Sequence, residues 1–297
     1  MVRFSSNLVS KLRRPLKKVS ENAFMREFMV STTARFGNAI GVFDSGVGGL
    51  SVLRAIRAAL PHEDLVYVAD SGHAPYGDQT SAHITQRTLT VGHWLAEQGV
   101  KAITIACNTA TVVAARSLRE QTHLPVVAIE PAIKPAVALT RTGVVGVLAT
   151  RQTVQSESVA RLCAQYGQGK RIVLQACPGW VELVEQADLH SARTEAMLRQ
   201  FMEPLLAQGA DTLVLGCTHY PFLSSAIQAI AGPDVTLVDP ADAVARELVR
   251  RLSQTTPSRA PAPGTTQFLT TGDVDQVQQT VAHLWGPQAK VAAWVSN

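Results

Sequence analysis

From Ala39 onward, short apolar runs alternate with longer stretches of mixed polarity. Ile40–Phe43, Leu65–Ala69, Ala102–Ala106 and Val126–Ile129 are brief, apolar and bounded by turn residues, which predicts buried strands. Between them, Leu50–Leu60, Ser81–Gln98 and Thr111–Gln121 read as helices. Asp44-Ser45-Gly46-Val47-Gly48-Gly49 forms a tight turn after the first strand. A loop carrying Asp70 and Pro75-Tyr76-Gly77 follows the second. The pattern then restarts: Gly143–Leu148 predicts a strand, Ala149 to Thr153 a turn, and a helix runs to about Tyr166. Ile172–Gln175 is a further strand, and Leu213–Leu215 leads into Cys217. Asp44 to Cys107 and Ala149 to Cys217 are nearly equal intervals, so the chain carries a weak internal repeat. The alternation predicts an α/β fold of two similar lobes, each with a mostly parallel sheet flanked by helices. Ligands of such sheets bind beyond the carboxyl ends of the strands, which puts the active site in the cleft between the lobes. Pro257–Gly264 reads as a surface linker, and Phe268–Thr271 as a last strand.

Composition narrows the class. The 297 residues are 46% hydrophobic and 17% charged, which marks a globular chain with a full core. No apolar stretch is long enough to span a bilayer, so no membrane role is expected. The four cysteines (107, 163, 177, 217) include no C-x-x-C pair, which argues against a disulfide framework or structural zinc and fits a reducing cytoplasm. The net charge of +4 is unevenly placed: residues 1–35 hold eight Lys/Arg and two Glu, leaving the remainder slightly acidic. Nucleic acid is therefore not an expected partner of the body. Residues 1–38 are a basic extension, expected to be a mobile tail, an upstream start before Met25 or Met29, or a regulatory arm. Glu21 and Glu27 weigh against a targeting peptide.

The chemistry gathers at strand ends. Cys107 and Cys217 each close an apolar run and precede a hydroxyl-bearing turn. A thiol facing a helix N-terminus has its pKa lowered and becomes a base or nucleophile. A lone buried cysteine is more often inert packing than catalytic, and Cys163 and Cys177 read that way; Cys107 and Cys217 differ in their hydroxyl or amide neighbours at a helix start. The Asp-Ser-Gly-x-Gly-Gly turn is either an anion cradle or a device for close packing. It matches neither a dinucleotide fingerprint nor a Walker loop, so a nucleotide cofactor is weakly supported. Asp70, Glu185 and His219 are candidate acids; His219, two residues beyond a thiol, is placed to assist proton transfer. A Cys–His hydrolase would leave Cys107 without a role.

Phe43-Asp-Ser-Gly-Val-Gly-Gly-Leu, Ala69-Asp, Ala74-Pro-Tyr-Gly, Ala106-Cys-Asn-Thr-Ala, Leu215-Gly-Cys-Thr-His-Tyr-Pro and Leu269-Thr-Thr-Gly-Asp resemble, in order, the glutamate racemase family of the aspartate/glutamate racemase superfamily. The resemblance implies a cofactor-independent enzyme, without a metal, that interconverts L- and D-glutamate and supplies D-glutamate for peptidoglycan. It implies that Cys107 removes the α-proton of D-glutamate and Cys217 that of L-glutamate, with Asp44 near Cys107 and His219 near Cys217. It further implies that Asp44, Ser45, Tyr76, Gly77, Asn108, Thr109, Thr218 and His219 hold the substrate, joined by Thr150 and Thr153, with Asp70 and Glu185 as auxiliary acids. The family's crossings near Glu130–Pro135 and Asp239–Asp242 imply a first lobe of 39–134 plus 243–297 and a second of 135–242. A homodimer, and a peptidoglycan precursor acting as activator at the N-terminal region, are also expected. A racemase or isomerase of another small acid, such as aspartate, is the alternative, and a two-lobe binding protein the non-enzymatic one.

Overall fold

The computed structural model describes residues 35–253 and 262–295. The basic segment up to residue 34 and most of the expected Pro-rich linker lie outside the described residues. Ten strands are described, in two sheets in which every pairing is parallel.

The first sheet holds β1 (Ile40–Asp44), β2 (Leu65–Ala69), β3 (Ala102–Ile105) and β4 (Val126–Ala128), with β9 (Thr266–Thr270) and β10 (Val291–Ala293), in the order β10-β9-β2-β1-β3-β4. The second holds β5 (Val144–Ala149), β6 (Arg171–Ala176), β7 (Thr212–Leu215) and β8 (Thr236–Val238), in the order β6-β5-β7-β8. The inner order is the same in both: second strand, first, third, fourth. Each sheet therefore has its topological switch between its first and third strands, where crevices form. Asp44 and Ile105, two residues before Cys107, end the first pair; Ala149 and Leu215, two residues before Cys217, end the second. The internal repeat is thus a repeat of topology.

Strands buried on both faces need apolar residues at nearly every position. In β2, Leu65, Tyr67 and Ala69 face one apolar cluster while Val66 and Val68 face another. In the second sheet, Leu148, Leu213 and Leu215 join the first cluster, and Val145, Val147 and Val214 face a third. That first cluster runs without a break from Ile40 and Leu53 to Trp180 and Tyr220, so the lobes share apolar packing behind the cleft. Helix α1 (Leu50–Ala59) turns Leu50, Val52, Leu53 and Ile56 into it. Truncating one such side chain to alanine costs about 2–5 kcal/mol.

The remaining helices are α2 (Ser81–Glu97), α3 (Asn108–Gln121), α4 (Ile133–Leu139), α5 (Arg151–Val154), α6 (Glu157–Tyr166), α7 (Trp180–Glu185), α8 (Ala192–Leu206), α9 (Ser224–Ala231), α10 (Ala241–Leu252) and α11 (Val274–Leu284). Two differences from the sequence pattern bear on the site. The helix expected from Thr111 begins at Asn108, because the Cys107 sulfur accepts the Ala110 N–H and caps it. The single helix expected up to Tyr166 is split: Thr150 caps α5, and Ser156 then caps α6. Side-chain capping by a hydroxyl is a short-range signal that overrides apolar periodicity. No described helix is long and apolar enough to cross a membrane.

Candidate active site

The turn after β1 is the centre of the site. The Asp44 carboxylate, wholly buried, accepts the Ser45 N–H at 2.7 Å and the Gly49 N–H. Val47 N–H donates 2.8 Å to Glu185 Oε1, which arrives from the end of α7 in the other lobe. The turn does cradle anions, and they are the chain's own carboxylates. Its glycines serve close approach as well. A Cβ on Gly46 would stand 1.8 Å from Glu185 Oε1, and one on Gly48 would stand 2.2 Å from His219 Nδ1. No other residue type fits either position without moving the acid or the imidazole.

Both thiols open here. Cys107, 4% exposed, holds its sulfur 3.6 Å from Ser45 Oγ and 3.4 Å from the Ala110 N–H. Burial pushes this thiol well above its ordinary pKa and the negative charge of Asp44 adds to the rise, while the Ala110 N–H and Ser45 oppose it. The helix N-terminus is present, as the sequence suggested, but desolvation outweighs it. Cys217, 6% exposed, lies 3.7 Å from His219 Nδ1. It precedes a 3-10 turn (Tyr220–Leu223) rather than an α-helix.

His219 Nε2 is 2.7 Å from Glu185 Oε1, completing a Cys217–His219–Glu185 relay. Burial alone would lower the imidazole's pKa; hydrogen bonds and charge from Cys217 and Glu185 outweigh it and hold His219 well above its usual value. Asp44 is raised by burial, against the lowering influence of His219, Cys107 and the Gly49 N–H. Thr218 Oγ1 reaches Asp44 at 3.3 Å, and Ser51 Oγ reaches the Thr218 carbonyl at 2.9 Å, so the Cys217 loop is tied to the turn and helix that follow β1.

Beyond Cys107 the hydroxyls of Thr109, Thr150 and Thr153 form a triangle across the cleft, with separations of 2.9, 3.4 and 3.0 Å. Asn108 is 2% exposed, and neither atom of its carboxamide has a hydrogen-bond partner. Such a buried amide is costly unless something polar meets it. Gly77 forms the facing wall, where a Cβ would stand 3.0 Å from that of Thr150. At the rim, Gln152 Nε2 donates 2.6 Å to the Gln79 carbonyl.

Asp70 stands apart. It is wholly buried at the end of β2, where Arg87 grips it with Nε at 2.9 Å and Nη2 at 2.8 Å. Tyr76 OH at 2.6 Å and Thr271 Oγ1 at 2.8 Å occupy its remaining lone pairs. With its acceptors filled, Asp70 holds the Tyr76–Gly77 wall in place. Arg87 was not evident from the sequence, because one arginine on an amphipathic helix resembles a solvated face. Gln152 and Ser51 carried no signal either, since their partners are backbone carbonyls distant in sequence. Among the described residues, no group of three or more His, Cys, Asp or Glu side chains is arranged to hold a metal.

Residues 40–248 match the family model for Asp/Glu/hydantoin racemases. A glutamate racemase from Methylococcus capsulatus is 53% identical over 247 residues, covering 83% of this chain and 91% of the relative. One from Ralstonia pickettii is 51% identical over 254 residues, covering 86% and 90%. Among solved structures, glutamate racemase isoform RacE1 from Bacillus anthracis superposes with a TM-score of 0.80 at 31% identity, covering 88% of this chain and 98% of that one. The Escherichia coli glutamate racemase, in complex with L-glutamate and the activator UDP-MurNAc-ala, gives 0.78 at 32% identity, covering 88% and 100%.

Proposed function

The chain belongs to the Asp/Glu/hydantoin racemase family, within which it is a glutamate racemase, and on that premise we propose a cofactor-independent reaction run by two thiols. Cys107 takes the α-proton from D-glutamate and Cys217 takes it from L-glutamate; the opposite thiol returns a proton to the other face. The observation that carries this reading is the pairing of buried cysteines at equivalent switch points of two sheets, each with its own polar partners.

The α-proton of an amino acid is very weakly acidic, so the carbanion has to be met by groups already in place. His219, whose pKa is held up by Cys217 and Glu185, lies beside the Cys217 sulfur and assists its proton transfer. Burial, and then the charge of Asp44, hold the Cys107 thiol's pKa up; the substrate's ammonium, held by Asp44 and Ser45, offsets the second of these. Asn108, Thr109, Thr150, Thr153 and Thr218, with the Tyr76–Gly77 wall, receive the two carboxylates. Asp70 acts through that wall and Glu185 through His219.

The lobes we assign are 39–134 with 243–297, and 135–242. The product would feed peptidoglycan synthesis in the cytoplasm, and a homodimer is the expected assembly. The activator named with the Escherichia coli relative supports a similar peptidoglycan precursor here, with the basic N-terminal region as its expected site. The test is incubation of the protein with L-glutamate in D₂O without added cofactor, following optical rotation and the α-proton signal. Loss of rotation with deuterium at the α-position is the expected result. Retention of both in folded, reduced protein refutes it.

A further inference from the structure

Tyr67 belongs to none of the motifs that identify the family, and it sits in the middle of β2 with no exposed surface. Its ring lies in the apolar cluster shared by the lobes, 6.3 Å from Phe268. A phenol in such a place needs a partner, and its OH donates 2.6 Å to the Gly46 carbonyl. A Cβ on Gly49 would stand 2.9 Å from the same oxygen. The phenol therefore meets the turn at both Gly46 and Gly49, from beneath.

Both halves of the site hang from that turn. On one side its Ser45 and Gly49 N–H groups fix the Asp44 carboxylate, and Ser45 Oγ lies against the Cys107 sulfur. On the other, its Val47 N–H fixes Glu185, which orients His219 beside Cys217. Gly48 carries no side chain because the imidazole lies against it. A shift of the turn at Gly46 would displace the partners of the two thiols together.

We infer that Tyr67 is a positioning residue for this reaction: its hydroxyl, bound to the Gly46 carbonyl, sets the height of the turn that aligns both thiol half-sites. The inference rests on the two-thiol reading above. The phenol does not face the substrate and takes no proton from it.

The test is Tyr67→Phe, which removes one oxygen and leaves the ring. Phe268→Leu serves as control, since it loosens the same patch of core without touching the hydrogen bond. Cys217→Ser is run beside them. A buried carbonyl left without its donor moves toward another, and a turn displaced by a fraction of an ångström lowers kcat about tenfold or more. Tyr67→Phe is expected to show that fall with a smaller rise in KM, because Asn108, Thr109, Thr150 and Thr153, which receive the carboxylates, belong to other segments even though Asp44 and Ser45 lie on the turn. The pH profile of kcat should also change shape, since His219 and Asp44 both lose their alignment. Phe268→Leu should lower the melting temperature as much or more, and leave kcat and the profile at wild-type values.

A Tyr67→Phe enzyme with wild-type kcat and pH profile overturns the inference, whatever its melting temperature. So does a Phe268→Leu enzyme that loses kcat to the same degree, because general loosening would then be the cause. If Cys217→Ser keeps full racemisation, the two-thiol reading fails and takes this inference with it. If Cys217→Ser is inactive while Tyr67→Phe is unaffected, the inference fails alone.

Discussion

Glu185→Gln isolates the charge behind His219. The glutamine oxygen can still accept the Val47 N–H that Glu185 holds at 2.8 Å, so the turn keeps its anchor. What is lost is the carboxylate 2.7 Å from His219 Nε2. A hydrogen bond to a charged group contributes about 1.5–3 kcal/mol, so stabilisation of the imidazolium drops by that order. Carried into the transition state, that is a fall in kcat of about 10- to 150-fold. The pH dependence has a definite sign. His219 is held above its ordinary 6.5 partly by Glu185, so the variant's imidazolium loses its proton at lower pH, and the alkaline limb of kcat moves down. The stability that follows from this raised pKa is fully present below about 6.5 and is lost as pH rises through the folded-state value. Glu185→Gln should therefore destabilise the protein most on the acidic side, and least above the folded-state value. Polarimetric kcat profiles and urea melts at several pH values read both effects. A variant with wild-type kcat and an unmoved alkaline limb would refute the relay.

Gly48→Ala places a methyl 2.2 Å from His219 Nδ1 and has to push the imidazole from Cys217; kcat should fall about 100-fold with the circular dichroism spectrum unchanged. Asn108→Leu removes a buried carboxamide that has no partner, so the melting temperature should hold or rise, the penalty being about 1–3 kcal/mol. The same variant should raise KM for glutamate; a wild-type KM would remove Asn108 from the substrate's surroundings.

The sheets were legible because double-sided burial leaves an unmistakable run of apolar residues, as at Leu65–Ala69. The candidate site was legible because its residues at strand ends travel with small and hydroxyl neighbours, as around Cys107 and Cys217. The start of α3 is not legible in the sequence because its cap is a thiol, which is not a usual N-cap. The electrostatics of Cys107 were hidden for a different reason: a helix N-terminus can be read from sequence, but depth of burial beside Asp44 depends on both sheets being in place. Arg87, Ser51 and Tyr67 shared that difficulty, since each meets its partner only after distant segments have packed.

The two half-sites are chemically unlike, and thermodynamics limits where the difference can appear. Cys107 faces a hydroxyl, a carboxylate and a helix start; Cys217 faces an imidazole backed by a carboxylate. L- and D-glutamate have equal free energies, so kcat/KM must be equal in the two directions for the native enzyme and for every variant. Unequal thiols therefore express themselves in the separate kcat and KM values, and in which isomer exchanges its α-proton once one thiol is gone. In Cys107→Ser the surviving Cys217 can still open L-glutamate, so residual deuterium exchange in D₂O should be confined to the L isomer, without inversion. Cys217→Ser should confine it to the D isomer. If both variants exchange the same isomer, the assignment of each thiol to one face of the α-carbon is wrong, even if both thiols are essential.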